Sequence, residues 1–134
     1  MKTLYTLLIA VLALGACNKE TATTQTDVMN SMLTNKNWYL DYSITGTSTK
    51  SYVGQATYFV TYLKDGTTRD SDGLNGTYTV ELINNQSQIH VQVKTANGNA
   101  LEVIYNIISV GDKNLVLSKL VQSGTPTELY FTNK

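Results

Sequence analysis

Residues 88–110 read QIHVQVKTANGNALEVIYNIISV, and this stretch decides the fold. Ile89, Val91 and Val93 alternate with His90, Gln92 and Lys94, the period of two that gives a strand one apolar face. Asn97-Gly98 then supplies a hairpin turn, because glycine adopts positive φ without a steric cost. Beyond it, Ala100 to Val110 sets Leu101, Val103, Tyr105 and Ile107 on one side and Ile104 and Ile108 on the other, which predicts a strand buried on both faces.

The same alternation continues in both directions. Upstream, Trp38, Leu40, Tyr42 and Ile44 alternate with Tyr39, Asp41 and Ser43, and a polar loop over Gly46 to Ser51 follows. A strand over Gln55 to Leu63 ends at Lys64-Asp65-Gly66, where Asp-Gly is a strong hairpin signal, and Thr67 to Ser71 returns at once. In Gly76 to Ile83, Tyr78, Val80 and Leu82 share a face before Asn84-Asn85-Gln86 turns the chain. Downstream, Gly111 to Asn114 leads to Leu115 to Gln122, and Ser123-Gly124-Thr125-Pro126 leads to Glu128 to Thr132. The lone proline falls in a turn, where its missing N–H costs no ladder bond.

These segments amount to eight strands with connections too short for parallel crossovers. The expected fold is all-β: an eight-stranded antiparallel up-and-down barrel, whose closure removes exposed edges, with a two-sheet sandwich as the alternative. Ahead of it, Asp27 can cap a short helix over Val28 to Leu33, where Val28, Met29, Met32 and Leu33 form one apolar face. Residues 17–27 (CNKETATTQTD) are rich in Thr and poor in large apolar side chains, the composition of a flexible tether. The domain proper is thus expected over residues 28–134.

The first residues read as a targeting signal. Lys2 makes a cationic start, and Leu4 to Leu14 is an apolar run well short of the roughly 20 residues that a spanning helix needs. Leu14-Gly15-Ala16-Cys17 then resembles the lipobox of bacterial lipoproteins, which implies a signal peptide over residues 1–16 and lipidation of Cys17. The thiol is the side chain nucleophilic enough for acyl transfer, and two or three chains such as palmitate, at about 0.8 kcal/mol per buried methylene, anchor stably where one does not. Asn18-Lys19-Glu20 lacks the Asp of inner-membrane retention signals and resembles the Lys-plus-acidic export signals of Bacteroidetes lipoproteins. The expected location is the outer membrane, lipid-anchored and facing either periplasm or cell surface. With one cysteine in 134 residues, no intramolecular disulfide can form.

The formal net charge is zero and basic residues are scattered singly, so nucleic acid is not an expected partner. Membrane affinity must come from the lipid.

Several short motifs carry a resemblance over residues 28–134: Lys36-Asn37-Trp38-Tyr39-Leu40 at the first strand, the turn Lys64-Asp65-Gly66-Thr67, the strand opening Gly76-Thr77-Tyr78, and Tyr105-Asn106-Ile107-Ile108 followed by Asn114-Leu115-Val116-Leu117. Together they are similar to the lipocalin-like domains of many Bacteroidetes lipoproteins. That resemblance implies a lipocalin-like barrel with the Trp38 position packed across its closed end. Two departures stand beside it: Asn37 precedes Trp38 where lipocalins have Gly-x-Trp, and a cysteine pair is absent.

For chemistry the residues offer little. His90 is the single histidine and falls on the polar face of its strand, where it is expected to meet solvent; a zinc or haem site needs further His or Cys ligands. Asp70-Ser71-Asp72-Gly73 lacks the later Glu of a calcium loop, and no nucleophile is paired with a base. Neither an enzyme, a metal site nor a cofactor is expected. Eight of the nine tyrosines lie beyond residue 16, and Tyr42, Tyr78 and Tyr105 fall on the inner faces as read here. With Trp38 they are the candidate ligand-binding residues, each open to a plain packing role as well. The expected function is a membrane-anchored barrel that binds a small apolar or amphipathic ligand. The alternative is a non-enzymatic subunit of an outer-membrane or cell-surface complex, which exposed Ile104, Ile108, Tyr58 or Tyr62 would favour.

Overall fold

In a computed structural model, residues 17–134 are described except 55–57 and 96, with side chains from Gln25 onward; the expected signal peptide therefore lies outside the described residues. One helix, α1 (Cys17–Leu33), precedes the strands β1 (Asn37–Thr45), β2 (Ser48–Ser51), β3 (Phe59–Tyr62), β4 (Thr67–Asp70), β5 (Asn75–Ile83), β6 (Gln86–Lys94), β7 (Ala100–Val110), β8 (Asn114–Lys119) and β9 (Thr127–Asn133). Every strand pairing is antiparallel: β1 pairs with β2, β3 and β9, and from β3 to β9 each strand pairs with the next in the chain. The ring β1-β3-β4-β5-β6-β7-β8-β9 is a closed eight-stranded up-and-down barrel, which settles the choice against an open sandwich.

The turns follow the residues that form them. Gly66 and Gly98 take φ of 82° and 79° in the Asp-Gly and Asn-Gly hairpins. Asn84 and Asn85 both have positive φ, 49° and 65°, the pair of values that joins β5 to β6 by a two-residue turn. Where Gly76 of β5 pairs with Val93 of β6, glycine is required for a different reason. A Cβ there would lie 2.3 Å from the Gln92 carbonyl oxygen.

Four features differ from the sequence-based expectations. The polar loop over Gly46 to Ser51 contains the strand β2, which pairs with the second half of β1 while β3 pairs with the first half. Between Leu40 and Tyr42 the β1–β9 register shifts by a bulge, so Leu40 opposes Phe131 and Tyr42 opposes Tyr130. The side chains beyond the bulge change sides: Ser43 is buried, and Tyr42 is outside the barrel. A second bulge between Ile107 and Ser109 leaves Ile108 54% exposed, so β7 is not buried on both faces at its end. Finally, residues 17–27, expected to be a tether, continue the helix that was expected to begin at Val28; no Gly or Pro interrupts α1.

α1 closes one end of the barrel. Its last residue, Leu33, and Trp38 are both 0% exposed, and the Trp38 indole Nε1–H donates to the Leu33 carbonyl at 2.8 Å, satisfying one of the carbonyls that a helix end leaves free. Asn35, with φ of 60°, turns the chain out of the helix and donates its N–H to the Tyr62 carbonyl at 2.8 Å. The rest of the core, including Ile89, Leu115, Leu117 and Phe131, points inward from the strands. Among the described residues, no helix is long and apolar enough to cross a membrane.

Candidate functional site

Up-and-down winding puts the β4–β5, β6–β7 and β8–β9 connections at the barrel end opposite α1. The interior on that side is not filled. A cavity of about 250 Å³ is walled by Val60, Val91, Val93, Val103, Leu117, Leu129 and Phe131, with the rings of Tyr58, Tyr62 and Tyr105 among them. It reaches the barrel end at Asp70, Leu74, Thr95 and Leu101, and of these Leu74 and Leu101 are 49% and 54% exposed, which marks the mouth. Arg69, also exposed, stands beside it.

The alternation of each strand explains the lining. Val91 and Val93 of β6 point inward between outward His90 and Gln92, as do Leu101, Val103 and Tyr105 of β7. On β3, Phe59 is outside, against the Tyr39 ring at 5.4 Å, which turns Val60 and Tyr62 inward.

The polar groups of the cavity fall into two sets. At the mouth, the Asp70 carboxylate accepts the backbone N–H groups of Asp72 and Leu74 at 3.0 and 2.9 Å and the Tyr58 hydroxyl at 3.3 Å. The Asp70 to Gly73 stretch is thus organised by its own backbone. Deeper in, Tyr62 is 2% exposed and Tyr105 is half-buried, and neither hydroxyl makes a hydrogen bond to another described residue. Burial, with the neighbouring Tyr105, Tyr58 and Tyr78 phenols, pushes the Tyr62 pKa well up. Burial alone raises Tyr105, and burial followed by the Asp70 charge raises Tyr58. All three are neutral hydroxyls at physiological pH. Among the described residues, the wall of the cavity holds no Lys or His.

Of the four candidate ligand-binding residues read from sequence, Tyr105 lines this cavity and Trp38, Tyr42 and Tyr78 do not. Trp38 packs against the end of α1. Tyr78 is inward but sits toward the closed end, its ring edge-on to Tyr62 at 5.0 Å and its hydroxyl donating to the Leu63 carbonyl at 2.8 Å. It borders a more open hollow of about 470 Å³ beside α1, lined also by Asn30, Ser31, Thr34, Lys64 and Thr79. Tyr42 is corrected outright: it stacks on Tyr130 at 4.3 Å on the outer surface. Cys17 is the first residue of α1, and its side chain lies outside the description.

Tyr58 and Tyr62 were weighed from sequence as surface residues. They belong to the cavity, spaced two apart on either side of the inward Val60. His90 faces outward but is half-buried, with Nδ1 3.6 Å from a Glu102 carboxylate oxygen and Nε2 buried without a partner. Among the described residues, no cluster of three His, Cys, Asp or Glu side chains could hold a metal ion. No protein-family model matches the chain, and comparison with curated proteins and with solved structures returned no match.

Proposed function

We propose that the chain is a membrane-anchored lipoprotein whose lipocalin-like barrel binds a small apolar or amphipathic ligand. The observation that carries this reading is the apolar cavity of about 250 Å³ under a half-exposed leucine mouth. An apolar cavity of roughly 150 Å³ is enough to take up benzene, so the space here exceeds what imperfect packing requires. Packed interiors leave few voids larger than a water molecule.

The anchor rests on Leu14-Gly15-Ala16-Cys17, and the absence of Asp after the cysteine favours the outer membrane. Because α1 enters at the closed end, such an anchor leads to the end of the barrel remote from the mouth. The barrel acts by binding; no pairing of nucleophile and base argues for catalysis. A second reading, a subunit docked onto another surface protein, is favoured by the exposed Ile108, Leu120 and Val121.

Titration with a neutral fluorescent probe, N-phenyl-1-naphthylamine, tests the first reading. One site per chain is expected, and it should be lost in the wall variants Val103→Phe and Val93→Phe when circular dichroism shows them folded. Probe binding that survives both substitutions would place the site elsewhere. The anchor is tested by Cys17→Ser, which should release the protein from membranes.

A further inference from the structure

The two hydroxyls without partners say more about the ligand than the apolar walls do. A hydroxyl that lines an apolar cavity without a protein partner is free to bond a guest, and ligand sites commonly set a few polar groups in an apolar lining to fix orientation. Tyr62 and Tyr105 stand in that position, beyond the mouth and among valines and leucines. We propose that the cavity takes an uncharged ligand bearing a carbonyl-type hydrogen-bond acceptor, inserted acceptor first, so that the Tyr62 and Tyr105 hydroxyls donate to it and its apolar remainder fills the path to Leu74 and Leu101.

This inference deepens the binding role proposed above and rests on it. The charge distribution supports it. Among the described residues, the cation bordering the cavity is Arg69, which is exposed at the mouth, and the Asp70 carboxylate is beside it. An anionic head carried inward would be desolvated with no positive charge to receive it. A carboxylate held at Arg69 with its tail inward would leave both phenols facing hydrocarbon. A neutral ketone, ester or quinone carbonyl avoids both costs, and the raised pKa of each phenol keeps it a proton donor throughout the physiological range.

Three probes of one skeleton separate these cases: 2-acetylnaphthalene has the acceptor, 2-naphthoate replaces it with an anion, and 2-ethylnaphthalene has no polar group. Calorimetric titration of the full chain should rank the ketone tightest and the anion weakest. Tyr62→Phe and Tyr105→Phe should each weaken the ketone by about five- to tenfold, the worth of one hydrogen bond, and leave 2-ethylnaphthalene unchanged or tighter. If 2-naphthoate binds as well as the ketone, or neither Phe variant alters ketone affinity while all three probes bind, the acceptor-first assignment is overturned and the apolar-cavity reading stands. If none of the probes binds, both fall.

Discussion

The contact between Trp38 and the end of α1 invites the most direct perturbation of the fold. Trp38→Phe keeps an aromatic ring at a fully buried position but removes the Nε1–H that donates to the Leu33 carbonyl at 2.8 Å. Leaving that carbonyl buried without a donor costs about 1–3 kcal/mol. The missing second ring leaves a void of a few tens of Å³, worth about 1 kcal/mol at roughly 24 cal/mol per Å³. The expected loss is about 2–4 kcal/mol, which for a domain of this size lowers Tm by roughly 8–15 °C. Urea unfolding followed by far-ultraviolet circular dichroism measures the free energy, and amide exchange locates it. The Asn35 N–H, bonded to the Tyr62 carbonyl, should lose protection as the helix end loosens. A loss below about 1 kcal/mol, with Asn35 still protected, would refute the argument that the indole fastens α1 to the barrel.

Other consequences follow from single contacts. Gly76→Ala drives a methyl group into the Gln92 backbone, 2.3 Å from its carbonyl oxygen, so β5 and β6 must separate; thermal melts should show a loss of about 1–3 kcal/mol. Tyr42→Ala removes the outer stack on Tyr130 and should cost no more than about 1.5 kcal/mol while leaving probe affinity unchanged, since Tyr42 is outside the cavity. Tyr58, Tyr62 and Tyr105 have folded pKa values above the unfolded value near 10, so the unfolded state releases protons first and stability falls as pH rises past about 10. Absorbance at the phenolate band should show these three ionising together with alkaline unfolding; Tyr62→Phe should flatten the stability loss.

The residues that announced the barrel are those whose local chemistry coincides with their tertiary role. Asp65-Gly66 and Asn97-Gly98 turn the chain where their backbone preferences say, and the alternation of Ile89, Val91 and Val93 survives because both neighbours of β6 are in regular register. Tyr42 could not be placed this way. Its side is decided by a bulge against β9, a partner distant in sequence, and by the Asp41 contacts that hold it: the Asp41 carbonyl accepts the Tyr52 N–H at 2.7 Å and its carboxylate accepts the Thr132 hydroxyl at 2.9 Å. The strand β2 was hidden because Ser48-Thr49-Lys50-Ser51 is polar throughout and exposed on both sides. In QATYFVTYL apolar and aromatic residues occupy both phases, so the alternation did not say which face was inner until Phe59 met Tyr39 outside. The cavity itself has no local signature, since it is the volume that strands distant in sequence fail to fill.

Native mass spectrometry of the protein extracted from its own host in mild detergent tests the central claim most directly. The account predicts a chain beginning at Cys17 with added acyl mass and one further small neutral molecule held without a covalent bond, absent from folded Val103→Phe. Wild-type protein that emerges with the acylated chain's mass alone, or with the same guest as the Val103→Phe variant, would contradict it.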